Sequence, residues 1–562
     1  MKNTINKKKT KAASLFFLLF CALNLSCTLL QAQYSQGGKP FSFDNTFREF
    51  SIQDLKENIL PSFDLASMQS EDSVNDQSKG PFRFGYNHDV NFSLNNSGTW
   101  LTLPNGDRLW QFLIRSPGAL SINLAFDDFF MPEGANLFVY NADKDFVIGA
   151  FTSINNQKDK QFATDLITGD AVVLEYYEPA AVSNQGHLKL FRVTHGYRGV
   201  KDYLSKAFGN AGSCQKNINC PIGANWQNQK NSVVLIITTG NVICSGALVN
   251  DVPQDSKPYV LTANHCDHPG YGTWVFRFKW ESPTCTNPGS SPSSLSLTGS
   301  VKRAAYPGSD MLLMEITGGL AFQTIPAIYQ PYFSGWSNIN TPATSAVCIH
   351  HPNGDIKKIS EALNATQSTN FTSAPEINNS DSWRIGQWTT GCTEPGSSGS
   401  PLYDQNKRIV GQLGGGPSAC GASAINLYDC YGKFSTSWLG GGSDSTQLKH
   451  WLDPNNTGTQ TMNGTDTLVL SVTTRNEETT TSFTTYPNPS NGELKIDLKM
   501  VKLQNVTAKV LNLLGQVIYA KSFSDASTGT YQLDVSSEPD GIYFLEISTA
   551  TESSVKKINI FR

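Results

Sequence analysis

The nine cysteines that follow Cys27 all fall between Cys214 and Cys430, and the long stretches on either side contain none. Two further cysteines, Cys21 and Cys27, sit in an N-terminal segment that decides how the nine are read. Lys7, Lys8, Lys9 and Lys11 precede the apolar run ASLFFLLFCALNLSCTLL, which gives way to QAQ. This is the pattern of a secretory signal peptide over residues 1–33, cut near Ala32 or Gln33. Export into an oxidising compartment makes disulfides the expected state of the nine. A retained anchor fits less well, because such signals are normally removed. Lipidation at Cys27 is disfavoured by Asn24, which stands where a lipoprotein signal usually has an aliphatic residue. No later stretch approaches the roughly 18 apolar residues of a membrane-spanning helix. No CxxC pair or Cys/His cluster has zinc-ligand spacing, so no metal and no cofactor are expected.

A chain of 562 residues is too long for one core and predicts roughly three or four domains. Only 16% of residues are charged and 39% are hydrophobic, with Ser, Thr, Asn and Gly abundant, which suits turn-rich β domains. The net charge of −4 gives no general attraction to nucleic acid or an anionic membrane.

Residues 34–80 are polar with weak periodicity and read as a leader, in part disordered. From about 80 to 200, segments such as RLWQFLIR, SINLAF, ANLFVYN and AVVLEYYEP alternate with Gly, Pro, Asn and Asp turns, which predicts a β-sandwich. The region 207–462 is again all-β, with SVVLIITT, VICSGALVN, PYVLTA, WVFRFKW, MLLMEI, AVCIHH and RIVGQL, enough strands for two packed barrels. Residues 463–483 read as a polar linker. Residues 484–562 form a third strand-rich block, a second sandwich.

Three segments carry chemistry. In YVLTANHCD an apolar strand runs into His265, with Cys266 able to tether the loop. In EPGSSGSP, Ser398 lies in a tight turn with Gly396 and Gly399, where backbone N–H groups can converge with no Cβ in the way; the amides of Gly396 and Ser398 are the expected oxyanion donors. In GSDMLLMEI, Asp310 opens a strongly apolar strand, so its carboxylate is expected at a buried edge, where an imidazole N–H is a suitable partner. Asp267, Asp355 and Asp404 lie in polar turns and fit that role less well. The order His, Asp, Ser within one disulfide-bearing β region is that of the two-barrel serine proteases, with His265, Asp310 and Ser398 as a triad.

Residues 212–462 resemble the bacterial lysyl endopeptidases, a branch of the trypsin-like family. The resemblance runs through GSC, CSGALVN, YVLTANHC, SDMLLMEI, HHPNGDIKKIS, TEPGSSGSP, RIVGQL, GGPSAC, YGKFSTSW and WLDPNNTGTQ. It implies disulfides Cys214–Cys420, Cys220–Cys285 and Cys244–Cys266, with Cys348, Cys392 and Cys430 outside the pattern. It also implies that Asp429 lies at the base of the specificity pocket, selecting a substrate lysine, with arginine left open. The best-known members carry a histidine after GQL that stacks on a tryptophan; here Gly414 stands in its place and FTSAPEIN lacks the tryptophan, which puts strict lysine preference in doubt. A fourth disulfide, Cys392–Cys430, is expected, because Cys392 lies shortly before Ser398 and Cys430 follows Asp429. His350 and His351 do not make a metal pair, since neighbours on a strand point to opposite faces.

Residues 80–200 resemble propeptide regions of secreted bacterial proteases. The ending, with YPNPSNG, LLGQ, DGIYFLEI and KKINIFR, is similar to the C-terminal sorting domain of the Bacteroidetes type IX secretion system. Together these imply a zymogen that passes through the periplasm to the cell surface or medium, its partners being that export machinery and polypeptide substrates. Lys206, in an exposed Gly/Asn/Ser-containing connector, is the expected processing site. The competing reading is an exported adhesin on a dead protease fold; a missing triad residue would favour it, and all three are present.

Overall fold

Period-two segments form strands almost throughout the computed structural model, which describes residues 32–33, 37–43, 55–78, 81–198, 211–238, 241–289, 292–320, 323–373, 377–466, 481–500, 504–512, 517–549 and 553–561. The signal peptide up to residue 31 and the Lys206 connector lie outside the described residues. The chain divides into two compact units, one holding the N-terminal sandwich and both barrels as far as residue 466, the other the C-terminal block. Among the described residues no helix is long and apolar enough to cross a membrane.

The N-terminal sandwich is built from two sheets. One orders Phe162–Ala163, Ser121–Phe130, His187–Gly196 and Gly85–Ser93; the other orders Glu57–Ile59, Arg108–Arg115, Ala171–Glu178, Asn136–Asn141 and Val147–Phe151. Alternate residues of facing strands, among them Phe112, Ile114, Phe126, Leu137, Val172 and Leu174, fill the space between them. The expectation of an irregular leader over 34–80 needs correction. Glu57–Ile59 adds a parallel strand against Arg108–Arg115, and Leu65–Ser78 is a helix of 14 residues. The helix carries no apolar stripe, so periodicity could not reveal it. Polar contacts hold it instead: Asp64 accepts the Ser67 N–H at its start (2.9 Å), and buried Asp72 accepts from Arg83 Nε (2.7 Å) and Tyr197 OH (2.8 Å).

The cysteine-bearing region consists of two large, mainly antiparallel sheets, the two expected barrels. The first orders Leu295–Thr298, Val275–Phe278, Val233–Thr238, Val242–Leu248, Tyr259–Ala263, Met311–Ile316 and Ser300–Tyr306. The second orders Lys216–Asn217, Lys358–Ala362, Ala346–His350, Pro401–Tyr403, Ile409–Gly415, Asp429–Lys433, Ile377–Ile385 and Gln367–Ser373. One apolar cluster joins them, with Val233, Leu261, Met311 and Leu313 from the first packing near Val347, Ile349, Ile409 and Phe434 from the second. The C-terminal unit has sheets of three and four strands around its own core of Leu494, Ile496, Val510, Leu545 and Ile558.

Candidate active site

Strand register alone brings His265 and Asp310 together. Tyr259–Ala263 pairs antiparallel with Met311–Ile316 so that Ala263 faces Met311. The residues just past one strand and just before the other are therefore neighbours. His265 sits in the turn Asn264–Cys266, and Asp310 caps the turn Pro307–Ser309 with a left-handed φ of 50°. Asp310 Oδ1 accepts the His265 backbone N–H (2.9 Å) and Oδ2 accepts from ring Nδ1 (2.8 Å). The carboxylate thus fixes the position of the loop and the Nδ1–H tautomer of the ring. Both side chains are buried, 2% and 1% exposed, so this pair is little screened by solvent. Nε2 of His265 is buried and has no hydrogen-bond partner among the described residues. It is the one ring nitrogen left to exchange a proton.

Ser398 lies in a turn clamped from the first barrel. Ser245, on Val242–Leu248, donates its N–H to the Ser398 carbonyl (2.8 Å) and its hydroxyl to the Gly396 carbonyl (2.9 Å). Gly396 has φ +85°, and a Cβ at Gly399 would stand 2.7 Å from the Ala263 nitrogen, so both glycines are required by the backbone path. This approach sets the serine turn against the strand that delivers His265. The N–H groups of Ser397, Gly399 and Ser400 are bonded within the second barrel, to Glu394, Leu413 and Ser397 carbonyls. Those of Gly396 and Ser398 engage no protein acceptor among the described residues. Behind the turn, buried His350 contacts Ser397 Oγ through Nδ1 (2.7 Å) and Ser360 Oγ through Nε2 (3.1 Å), while His351 Nδ1 contacts the Asp355 carbonyl (2.9 Å). The two histidines point apart, and burial holds His351 well below its ordinary pKa, a neutral packing residue.

Asp429 begins the strand Asp429–Lys433 and is fully buried. Its Oδ2 accepts from Trp388 Nε1 (2.6 Å), Thr393 Oγ1 (2.7 Å) and Ser418 Oγ (2.6 Å). Three donors on one oxygen fix the position of the carboxylate against the loops that bear Thr393 and Ser418. Thr393 and Ser418 stand in the TEPGSSGSP and GGPSAC stretches but carried no role in the sequence reading; nor did Ser245 or Trp388. Their positions become meaningful only once the loops that bear them converge. At Gly414 an added Cβ would lie 3.3 Å from Asp310 Oδ2, so a side chain there would press on the carboxylate that holds His265.

The structure contains disulfides Cys214–Cys420, Cys220–Cys285 and Cys244–Cys266. The expected Cys392–Cys430 bridge is not formed: among the described residues neither cysteine, nor Cys348, is in a disulfide. Strand alternation is the reason. Asp429 faces Thr393 and Ser418, which sends the next residue, Cys430, to the opposite face. Cys392 instead lies 3.4 Å from Cys214 Sγ, beside a bridge already closed. Burial pushes the Cys430 and Cys348 thiols up to about 12.

The fold and this site define a serine endopeptidase of the trypsin-like class. Residues 208–432 match the family model described as lysyl endopeptidase, C-terminal domain, and residues 484–560 match that of the secretion system C-terminal sorting domain. The chain is similar to a lysyl endopeptidase of Pseudomonas aeruginosa, 27% identical over 367 residues, covering 60% of this chain and 75% of that protein. Among solved structures it is similar to the Rv3671c protease from M. tuberculosis, with 16% identity and a TM-score of 0.24, covering 38% of this chain and 80% of that one. A Glu endopeptidase has 15% identity and a TM-score of 0.23, covering 40% and 92%. The chain thus combines a region similar to lysyl endopeptidases with a secretion-system sorting domain, which points to the cell surface or the outside.

Proposed function

We propose that this enzyme hydrolyses peptide bonds on the carboxyl side of lysine and is made as a zymogen. The observation that supports this specificity is Asp429, a fully buried carboxylate that accepts from Trp388, Thr393 and Ser418 on one oxygen, which we read as the base of the specificity pocket. A carboxylate held in this position would attract a substrate ammonium and favour it over an uncharged side chain.

In the proposed reaction Ser398 Oγ attacks the carbonyl carbon of the lysine itself while its proton passes to His265 Nε2. Asp310 holds the imidazole and stabilises its positive form. The N–H groups of Gly396 and Ser398 receive the developing oxyanion. The C–N bond then breaks, and His265 returns the proton to the leaving amine. Water, deprotonated by the same nitrogen, attacks the acyl-enzyme and restores Ser398.

Residues 1–33 would be the signal peptide, 34–206 the prosegment removed at Lys206, 207–462 the protease, 463–483 the linker and 484–562 the sorting domain. The deciding experiment is a cleavage-site profile on denatured proteins, paired with a lysyl ester assay of Ser398→Ala. Cleavage after lysine, lost in the variant, is expected. Cleavage after residues other than lysine or arginine overturns the specificity, and an active Ser398→Ala overturns the nucleophile.

A further inference from the structure

The strand Val242–Leu248 is shared unequally. Along Val242–Ile243 it pairs with Val233–Thr238 on one side, but its other neighbour, Tyr259–Ala263, pairs only with Ala247 and Leu248. The outer half would therefore be an open sheet edge, two residues from Ser245, which holds the Gly396 and Ser398 carbonyls. That edge is taken by the N-terminal region. Phe82 pairs antiparallel with Ile243 and Arg83 with Val242, and the Phe84 N–H donates to the Asn241 carbonyl (2.9 Å). Asn241 Nδ2 in turn donates to the Gly85 carbonyl. Phe82 reaches the serine turn: a Cβ on Gly396 would lie 3.3 Å from Phe82 Cβ. With this segment in place Ser398 is only 2% exposed.

We propose that Phe82–Phe84 is an inhibitory strap that occupies the strand edge where an extended substrate must lay the residues following its scissile bond. This rests on the reading of Ser398 and Gly396 given above. An extended peptide gains its hold from main-chain hydrogen bonds to an exposed edge, and here the chain's own segment uses them. The strap is built to stay. Arg83 is tied to Asp72 Oδ1 (2.7 Å), Glu71 Oε2 (3.0 Å) and the Met68 carbonyl (2.8 Å) of the Leu65–Ser78 helix. The Arg198 guanidinium lies 4.3 Å from the centre of the Phe82 ring, with Nη1 on Asp76 (2.6 Å). Phe82 and Phe84 pack in one apolar cluster with Leu235, Ile237, Ile243 and Trp280 of the first barrel. Cleavage at Lys206 cuts none of these contacts, so the severed prosegment persists as a non-covalent inhibitor. The partner of this edge is thus the prosegment first and an extended polypeptide substrate afterwards.

The test uses the full chain as purified, wild type and Phe82→Asp, with rates expressed per serine titrated by a small acylating reagent. Two substrates are compared: a lysyl ester with a small leaving group, and a peptide with several residues after its lysine. Losing two or three main-chain hydrogen bonds and the ring's packing should raise peptide cleavage about tenfold or more, with the ester rate nearly unchanged. An equal peptide-to-ester ratio in both chains overturns the strap. If neither chain hydrolyses the ester, the protease reading fails instead. Should Phe82→Asp leave no titratable serine, Phe82→Ala keeps the strand and removes the ring; an unchanged ratio there equally overturns the proposal.

Discussion

Asp165 of the N-terminal sandwich forms a buried ion pair with Arg277 inside the first barrel, their side chains 9% and 3% exposed. Arg277 Nε donates to Asp165 Oδ2 at 3.0 Å, Nη2 donates to Oδ1, and Ser296 Oγ adds a donor. The barrel has thus been given a buried cation whose partner lies in the segment proposed to leave. Removing one member of such a pair strands the other in a poorly solvated site, at about 3–5 kcal/mol. Asp165→Ala should therefore destabilise the precursor by that order in urea unfolding, and Asp165→Ala with Arg277→Met should recover much of the loss. Equal midpoints for wild type and Asp165→Ala would mean the pair contributes nothing.

Substrate choice should depend on the floor of the pocket more than on the triad. Asp429→Ser is expected to cost roughly 2–5 kcal/mol in discrimination for a cationic side chain while Ser398 is still labelled by small reagents. Ser418→Ala removes one of three donors to the carboxylate, each charge-assisted bond contributing about 1.5–3 kcal/mol. Its effect should appear as a raised KM for lysyl substrates. An unchanged lysine preference in Asp429→Ser would remove this residue from the pocket.

The sandwich carries a built-in acid sensitivity. Burial lowers the His195 pKa from its ordinary 6.5 to about 4, helped by the neighbouring His88, which burial also lowers, while Asp170 acts in the opposite sense. His195 Nδ1 contacts Ser116 Oγ at 2.8 Å, and the aromatic ring of Phe63 packs edge-on against it. A depressed histidine binds its proton more readily in the unfolded chain, so its contribution is whole above about 6.5 and falls as pH drops toward about 4. This histidine should lower precursor stability through that window and add no further loss below it. His195→Gln should flatten the decline, and a profile identical to wild type would exclude this histidine as the cause.

The C-terminal unit closes its own core and contains no cysteine. Deleting residues 484–562 should leave kcat/KM on a lysyl ester within about twofold, because a separately folded domain adds nothing to the triad. Precursor should accumulate in the periplasm of a host with this secretion system. Normal export of the truncated chain would remove the sorting role.

What could be read from sequence alone was whatever local pattern encodes. Alternation located the strands of the sandwich and barrels, because burial of one face repeats every second residue. The setting of His265, Asp310 and Ser398 was legible because each stands at the end of an apolar strand or in a glycine turn. The Leu65–Ser78 helix was not legible: it has no apolar stripe and is held by polar contacts to Arg83, just beyond its end, and to Tyr197, distant in the chain. The pairing of Cys392 was misjudged because closeness in sequence to Ser398 says nothing about which face of a strand meets which loop. Ser245, Thr393 and Ser418 are ordinary serines and threonines until tertiary folding points them at the Ser398 turn or at Asp429. Only the tertiary structure decided that Phe82 lies on the edge of Val242–Leu248, because an open edge accepts any extended segment and its occupant is chosen by packing from elsewhere in the chain.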